Sequence, residues 1–556
     1  MIKRLTGLTI ATMLLSGATL AKDVTISVNT NDGQTIKGEH KFVVRATSTS
    51  LVTSVEFYVG DSLRDTDEST PYEFTVDTLN EKEGDFVVRL DAFTENGQKA
   101  SKTLKLKIDN GISKGVQFHV DAGREALASS KWDDALLSGR IALKIDPKNN
   151  DARMVMARAN FGKRIMDLSQ KYLEDVIASD PKNSQALELL AAINLDRAFS
   201  SMSNGSNRAE VITSIGNALK QAASSRRSSL EEKVSTTGAP TDANLWQWVS
   251  TMVEAGRYSL VIEKLTPMVV KDSKNTVAQN WLIYTQIRAG RFLAATNALK
   301  AYERFGAVNG YGYALKAILF QYGGDEQTSR AAEKDAILDD PNDVGVKSAQ
   351  VYLALRRNEN RAFSQLANDL AKNEGQSYVT NYYLGTLNFR NAQYTEGVDY
   401  LKKALLAEPA SYDIYVERAN EIITYISTDT TLGTEEKAHQ YNLAKAFLEA
   451  ALIAKPESFQ ALTGLSLVYS LTGKAEEAIK YGKAAAAAGP EYAPAHYALT
   501  AANLIGQKNV DARESMRNAE KMDKILEGRS MPSPFFAWQY FNQNGRLPLL
   551  TPPPVK

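Results

Sequence analysis

A 34-residue period constrains this chain more than any other feature of it. Pro147 and Pro181 are 34 residues apart, as are Pro456 and Pro490. Tyr258, Phe292 and Tyr394 share one phase, the second step being three periods long. Pro341 and Pro409 keep the proline phase two periods apart. A fixed period of this length belongs to stacked helical hairpins, each of which buries its apolar face against its neighbours. At 556 residues the chain also exceeds what one hydrophobic core supports, so an array or several domains is expected.

Lys plus Arg equals Asp plus Glu, at 65 each, which argues against a nucleic-acid partner. Lys3 and Arg4 precede a short apolar run, Leu5 to Leu15, and then Ser16-Gly17-Ala18 and Thr19-Leu20-Ala21. That order of charge, apolar core and small residues reads as a secretory signal over residues 1–21, cleaved after Ala21. With no later stretch of spanning length, no stable membrane insertion is expected after cleavage. The chain has no cysteine, so it has no disulfide, thiolate metal site or thiol nucleophile. Together these point to a bacterial envelope protein, periplasmic or extracellular at the cell surface.

Residues 22–110 alternate apolar and polar positions in short runs. The runs are Val24–Val28, Phe42–Val44, Val55–Val59, Tyr72–Val76, Phe86–Leu90 and Leu104–Ile108. Turn residues such as Asn31-Asp32-Gly33 separate them, which predicts an antiparallel β-sandwich. The stretch from Val55 to Tyr58, leading to Pro71–Phe74 and Asp77, resembles bacterial immunoglobulin-like domains. The resemblance implies a spacer or adhesion role and brings no catalytic residue. The acidic run Asp61, Asp65, Asp67 and Glu68 lacks calcium-loop spacing and is expected as a solvated loop.

The periodic region covers 115–200 and 242–526, about eleven units. In the first, small residues Gly123, Ala135 and Ala142 allow two helices to pack closely, Trp132 plugs the start of the second helix, and Pro147 ends it. These positions resemble the tetratricopeptide repeat. The unit from Tyr378, with Gly385, Tyr394, Leu401 and Ala404, matches it best, and the unit from Phe459 repeats the set with Gly473, Ala478 and Ala485. Units from Asp242, Thr276, Gly310 and Val344 hold the phase between the first unit and the one from Tyr378. Two segments interrupt it. Residues 201–241 are polar and Ser-rich, and are expected to hold an extra helix near Glu210 to Ala223 followed by a mobile loop. Residues 425–438 add about a dozen residues. Both read as tolerated insertions. The segment 527–556 turns aromatic and then Pro-rich. Phe535, Phe536, Trp538, Tyr540 and Phe541 are expected to cap the last helices, with TPPPVK extended beyond, or else to form a short partner-binding motif.

The fold class expected is therefore an all-β sandwich followed by an all-α solenoid. No enzyme is expected: there is no phosphate loop, nucleophile elbow or metal-hydrolase motif, and no cofactor is implied. His40, His119, His439 and His496 lie far apart and are expected at the surface. The repeat resemblance implies that positions 2, 5, 9, 12 and 13 of each first helix line a concave face. Trp246 and Tyr382 then stand at position 5, Tyr284 and Tyr352 at position 9, Phe389 at position 12, and Arg288, Tyr322, Arg356 and Arg390 at position 13. Forked guanidinium donors beside flat rings suit an extended peptide with acidic groups, or a glycan stacked on the rings. Arg beside Tyr on a helix also suits a plain solvated face. The function this implies is an exported, non-catalytic scaffold for protein or peptide partners. The alternative is glycan binding, or assembly and export of an exopolysaccharide.

Overall fold

A computed structural model describes residues 24–203, 209–305, 308–375, 377–408 and 412–555. The proposed signal, residues 1–21, and Pro409 lie outside them. The chain divides into two compact units, one through Tyr172 and the other from Leu173.

In the first unit, strands β1 (Thr25–Val28), β3 (Glu39–Thr47) and β6 (Tyr72–Asp77) form one sheet. The other sheet runs in the order β2 (Thr35–Ile36), β8 (Lys99–Ile108), β7 (Gly84–Thr94), β4 (Val52–Val59) and β5 (Ser62–Asp67). On β6, Tyr72, Phe74 and Val76 point inward while Glu73 and Thr75 face water, the alternation a half-buried strand requires. Phe57 sits between Phe42 and Phe74, at centroid distances of 5.3 and 5.1 Å. The acidic run is not a loop. Asp65 and Asp67 lie in β5, paired with Phe57 and Val55, and Asp67 accepts from the Ser69 and Glu73 amides. As an edge strand with charged side chains, β5 resists pairing with other chains.

Helices α1 (Val116–Ala128), α2 (Trp132–Ile145) and α3 (Asn150–Gly162) follow, and α4 (Met166–Ser179) contains the division between units. Arg140 of α2 pairs with Glu39 at 3.0 Å and also with Asp77, tying the sandwich to the first hairpin.

The second unit continues the hairpins. Its inner helices include α9 (Thr276–Arg288), α11 (Gly310–Tyr322), α13 (Val344–Arg356) and α15 (Tyr378–Arg390), each 13 residues and starting 34 residues after the last. Their partners α10 (Phe292–Phe305), α12 (Glu326–Asp339), α14 (Asn360–Glu374) and α16 (Tyr394–Ala407) keep the same step. Two local devices recur with it. Asn275, Asn309, Asp343 and Ser377 each cap an inner helix by accepting from the third residue's amide, a cap worth about 1 kcal/mol. The turn into each outer helix places one residue at positive φ: Gly256, Gly290, Gly324, Asn358 and Ala392. Gly385 packs as the repeat register demands, because a Cβ there would meet Leu401 at 2.8 Å.

The interruptions are structured. Residues 184–203 form α5 (Ser184–Ser203), and the segment expected as a mobile loop is part of α6 (Ala209–Thr237). The weak helix preference of its serines is overridden by packing, since Arg226, Ser229 and Leu230 are buried. The second interruption lengthens α17 (Tyr412–Thr428) and α18 (Thr434–Ala454). These long arms close the unit on itself: α6 packs along α18, and α5 packs against α16. Arg226 joins Glu188 at 2.6 Å, Glu254 at 2.7 Å and Glu408 at 3.0 Å across that closure. Helix α7 (Leu245–Glu254) pairs with α8 (Tyr258–Lys271), and α19 (Phe459–Leu471), α20 (Ala475–Ala488), α21 (Ala493–Ile505) and α22 (Asn509–Met522) complete eleven hairpins among the described residues. A last helix, α23 (Pro534–Asn544), packs on α19 and α21. It buries Trp538, Tyr540 and Phe541, whereas Phe535 and Phe536 remain exposed.

Two of the four histidines are not at the surface. His119 bonds the Gly111 carbonyl at 2.8 Å and His496 the Pro490 carbonyl at 3.0 Å, both buried.

Candidate functional site: an inner wall lined by tyrosine and arginine

Helices α9, α15 and α19 are buried around their whole circumference; α19 is buried without a break from Phe459 to Ser470. A helix of that kind has a neighbour on every side. On the outer side the neighbours are the paired helices. On the inner side the neighbour is the chain's own C-terminal segment, which follows α23 and threads past six inner helices, α9, α11, α13, α15, α17 and α19.

The wall holds this segment by its main chain. Asn544 O accepts from Arg356 Nη1 at 2.9 Å, and Gly545 O from Gln460 Nε2 at 3.2 Å and from the Tyr492 hydroxyl. Arg546 O accepts from the Tyr352 hydroxyl at 3.1 Å, and Pro548 O from Arg288 Nη1 at 3.3 Å. Leu549 O accepts from Tyr383 and Thr551 O from Tyr311, each at 2.8 Å. Burial pushes the hydroxyls of Tyr311, Tyr352 and Tyr383 up from their ordinary range, so they stay protonated donors at neutral pH. Nearly all these wall atoms donate, and the segment answers with carbonyls. Pro548, Pro552 and Pro553 have no N–H to leave unpaired. Leu547, Leu549 and Leu550 are buried beneath it.

One carboxylate anchors the segment. Glu417 accepts from Arg546 Nε and Nη2, both at 2.8 Å, a bidentate pair in which Glu417 is buried and the Arg546 side chain is 12% exposed. Burial alone would raise the Glu417 carboxyl, but the Arg546 guanidinium outweighs it and holds the carboxyl below its ordinary value. Glu421, 3.6 Å from Arg546, is pushed up to about 8 by burial and by the charge of Glu417. At the far end, Thr551 donates twice, its hydroxyl to Glu374 at 2.8 Å and its amide to the Ser348 hydroxyl at 3.2 Å.

The residues expected on the concave face fall into two groups. Arg288 and Tyr352 hydrogen-bond the segment directly, and Arg356 bonds the last carbonyl of α23, where the segment begins. Tyr284 lies beside Leu549 and Pro552 in a cavity of about 190 Å³, and Tyr382 reaches Glu417 at 3.4 Å. Phe389 and Arg390 line a second cavity of about 350 Å³ with Arg356, Glu421 and Arg546. Tyr322 stacks on Phe292 and lies under the Arg356 guanidinium, 4.7 Å away. Trp246 is half-buried against the core and makes no contact described with the segment. Arg288 is already matched by Asp413 at 2.5 Å, so its charge is not open to an acidic partner. The rings of Tyr284, Tyr352, Tyr382 and Phe389 are buried. The C-terminal TPPPVK does not run wholly clear of the repeats, since Thr551 and Pro552 sit on the wall.

Sequence reasoning passed over Tyr311, Ser348, Gln460, Tyr383, Tyr492 and Glu417. For three of these the signal was present: Tyr311 and Gln460 occupy position 2 of their units and Ser348 position 5. Tyr383 and Glu417 stand at position 6, which the register does not assign to the concave face, and Tyr492 precedes an inner helix.

Among the described residues no group of acidic or imidazole side chains is placed to hold a metal ion, and no helix is long and apolar enough to cross a membrane. Residues 15–101 match the family model described as a bacterial Ig domain. No curated protein matches the chain. Among solved structures the chain is similar to yeast Tom70, at 14% identity and a TM-score of 0.33, covering 77% of this chain and 95% of that one. It is also similar to PilW, a widely conserved type IV pilus biogenesis factor, at 19% identity and a TM-score of 0.28, covering 38% of this chain and 92% of that one. At these scores the likeness adds nothing beyond the helical repeats already described. The chain thus carries an N-terminal sandwich that matches the bacterial Ig domain, followed among the described residues by helical hairpins in a 34-residue, tetratricopeptide-like repeat.

Proposed function

We propose that this protein is an exported, non-catalytic interaction scaffold of the bacterial envelope, periplasmic or at the cell surface, which binds protein partners as extended segments on the inner wall of its repeats. The observation that carries this reading is the row of side-chain donors, from Arg288 on α9 to Gln460 on α19, spaced to hold a main chain rather than a compact ligand. Such a wall gives affinity through backbone carbonyls and specificity through the pockets between them. Export rests on the signal pattern of residues 1–21. The sandwich serves as a spacer in this reading.

The test is crosslinking in the intact envelope, followed by identification of the captured protein. Replacing Arg356 and Arg390 together with Ala lowers capture while the helical circular-dichroism signal stays unchanged. Equal capture by the double variant places the binding surface elsewhere.

A further inference from the structure

We infer that residues 545–552 are a built-in occupant of this wall, and that the partner it accepts is an extended segment of the same chemistry: an arginine, then apolar residues broken by proline, ending in threonine. The inference rests on the scaffold reading and names its partner class. Three features fix that chemistry. The anchor is a buried carboxylate, Glu417, with a second carboxyl beside it, so the head of the segment is cationic rather than acidic. The middle is apolar, since Leu547, Leu549 and Leu550 are each at most 3% exposed. The wall offers donors and few acceptors to the main chain, so residues without an N–H are favoured where an amide would be left unpaired. Proline also fixes φ, which lowers the entropy lost on docking, and tyrosine-lined grooves suit such segments.

A segment tethered beside its own site acts at an effective concentration in the millimolar range when the linker is short. Here the tether is direct, because Gly545 follows the last residue of α23. A partner in trans therefore competes with the tail, and loosening the tail exposes the wall. Arg546 is the residue whose loss does this most simply, since it carries both bonds to Glu417.

The experiment uses the full chain and a fluorescent synthetic peptide, Gly545 to Lys556. The Arg546→Ala chain is expected to bind the peptide at least tenfold more tightly than the unaltered chain, and a peptide carrying the same Arg→Ala change is expected not to bind. Absence of binding to both chains, or equal binding that ignores the peptide's arginine, overturns the inference. Hydrogen exchange on the unaltered chain gives a second reading that needs no variant. Excess peptide is expected to speed exchange of the Leu549, Leu550 and Thr551 amides at least tenfold, and unchanged exchange at saturating peptide overturns it. Concentration-dependent dimers that vanish in Arg546→Ala would assign the wall to a second copy's tail and overturn the partner reading. Should envelope crosslinking still capture a partner that the peptide does not displace, this inference falls and the scaffold reading stands. If capture is also indifferent to Arg356 and Arg390, the wall itself is the wrong site.

Discussion

Glu417 and Glu421 share one guanidinium, and that sharing makes a quantitative prediction. Glu417 makes both bonds to Arg546, while Glu421 waits at 3.6 Å with a carboxyl pushed up to about 8. At pH 7 Glu421 is therefore mostly protonated, and part of the reason is the charge on Glu417. Removing one partner of a buried pair ordinarily costs about 3–5 kcal/mol. Glu417→Gln should cost less, because it also removes the charge that keeps Glu421 neutral. Glu421 then ionises and takes over the guanidinium, leaving a loss of about 1–2 kcal/mol, or roughly five- to thirtyfold in tail opening. Glu421→Gln alone, replacing a neutral acid by a neutral amide, should cost under about 0.5 kcal/mol. The double variant has no carboxylate left and should lose about 3–5 kcal/mol, limited by the docking free energy of the tail, because the guanidinium leaves with it. The assay is amide exchange at Leu549 and Thr551 at pH 7 in all four chains, since exchange reads local opening directly. A double-mutant cycle that closes to within about 0.5 kcal/mol would refute the shared-guanidinium argument, because independent sites add.

The same carboxyl gives a pH dependence. The native state holds a proton on Glu421 up to about 8, whereas the free side chain releases it near 4.5. Stability therefore falls as pH rises between those values, by at most about 1.4 kcal/mol per unit, and Glu417, whose carboxyl is held low, adds no slope there. Urea midpoints at pH 5 and pH 8 check this, and Glu421→Gln should flatten the difference. Arg226→Met leaves three carboxylates facing one another at the closure where α6 packs along α18 and α5 against α16; with Glu188 46% and Glu254 21% exposed, water softens the loss to about 2–3 kcal/mol. An unfolding midpoint unchanged by that substitution removes the closure from the account of stability. At the inter-helix turn, Ala392→Gly should stabilise by about 1 kcal/mol, because φ there is 58°. Gly290→Ala should destabilise by about 2–3 kcal/mol, because φ is 70° and a Cβ would meet the Phe459 ring at 2.9 Å. Thermal melts of the two variants should move in opposite directions.

The repeat register was legible because it rests on local chemistry. Tyr258, Phe292 and Tyr394 each begin an outer helix, and the strands of the sandwich follow the period-two runs from Phe42 to Ile108. The Ser-rich stretch after Ala223 was misread as a loop because its helix depends on Arg226, whose carboxylate partners come from three other helices. No local pattern announces such a partner. The acidic run from Asp61 was misread for the same reason, since β5 exists by pairing with β4.

By itself, then, the sequence determined that this chain is a sandwich followed by hairpins, and the phase at which each hairpin begins. Period and phase are properties of neighbouring residues, and helices and strands form on that scale. Only the tertiary structure decided what the inner face touches. Whether Arg356 meets solvent, an acidic partner or the carbonyl of Asn544 depends on a segment 188 residues away in the chain. The closure of α6 on α18 and the pairing of Glu417 with Arg546 are of the same kind. Contacts at that separation are fixed by how the hairpins stack and curve together, and curvature accumulates from many small packing angles that no single unit encodes.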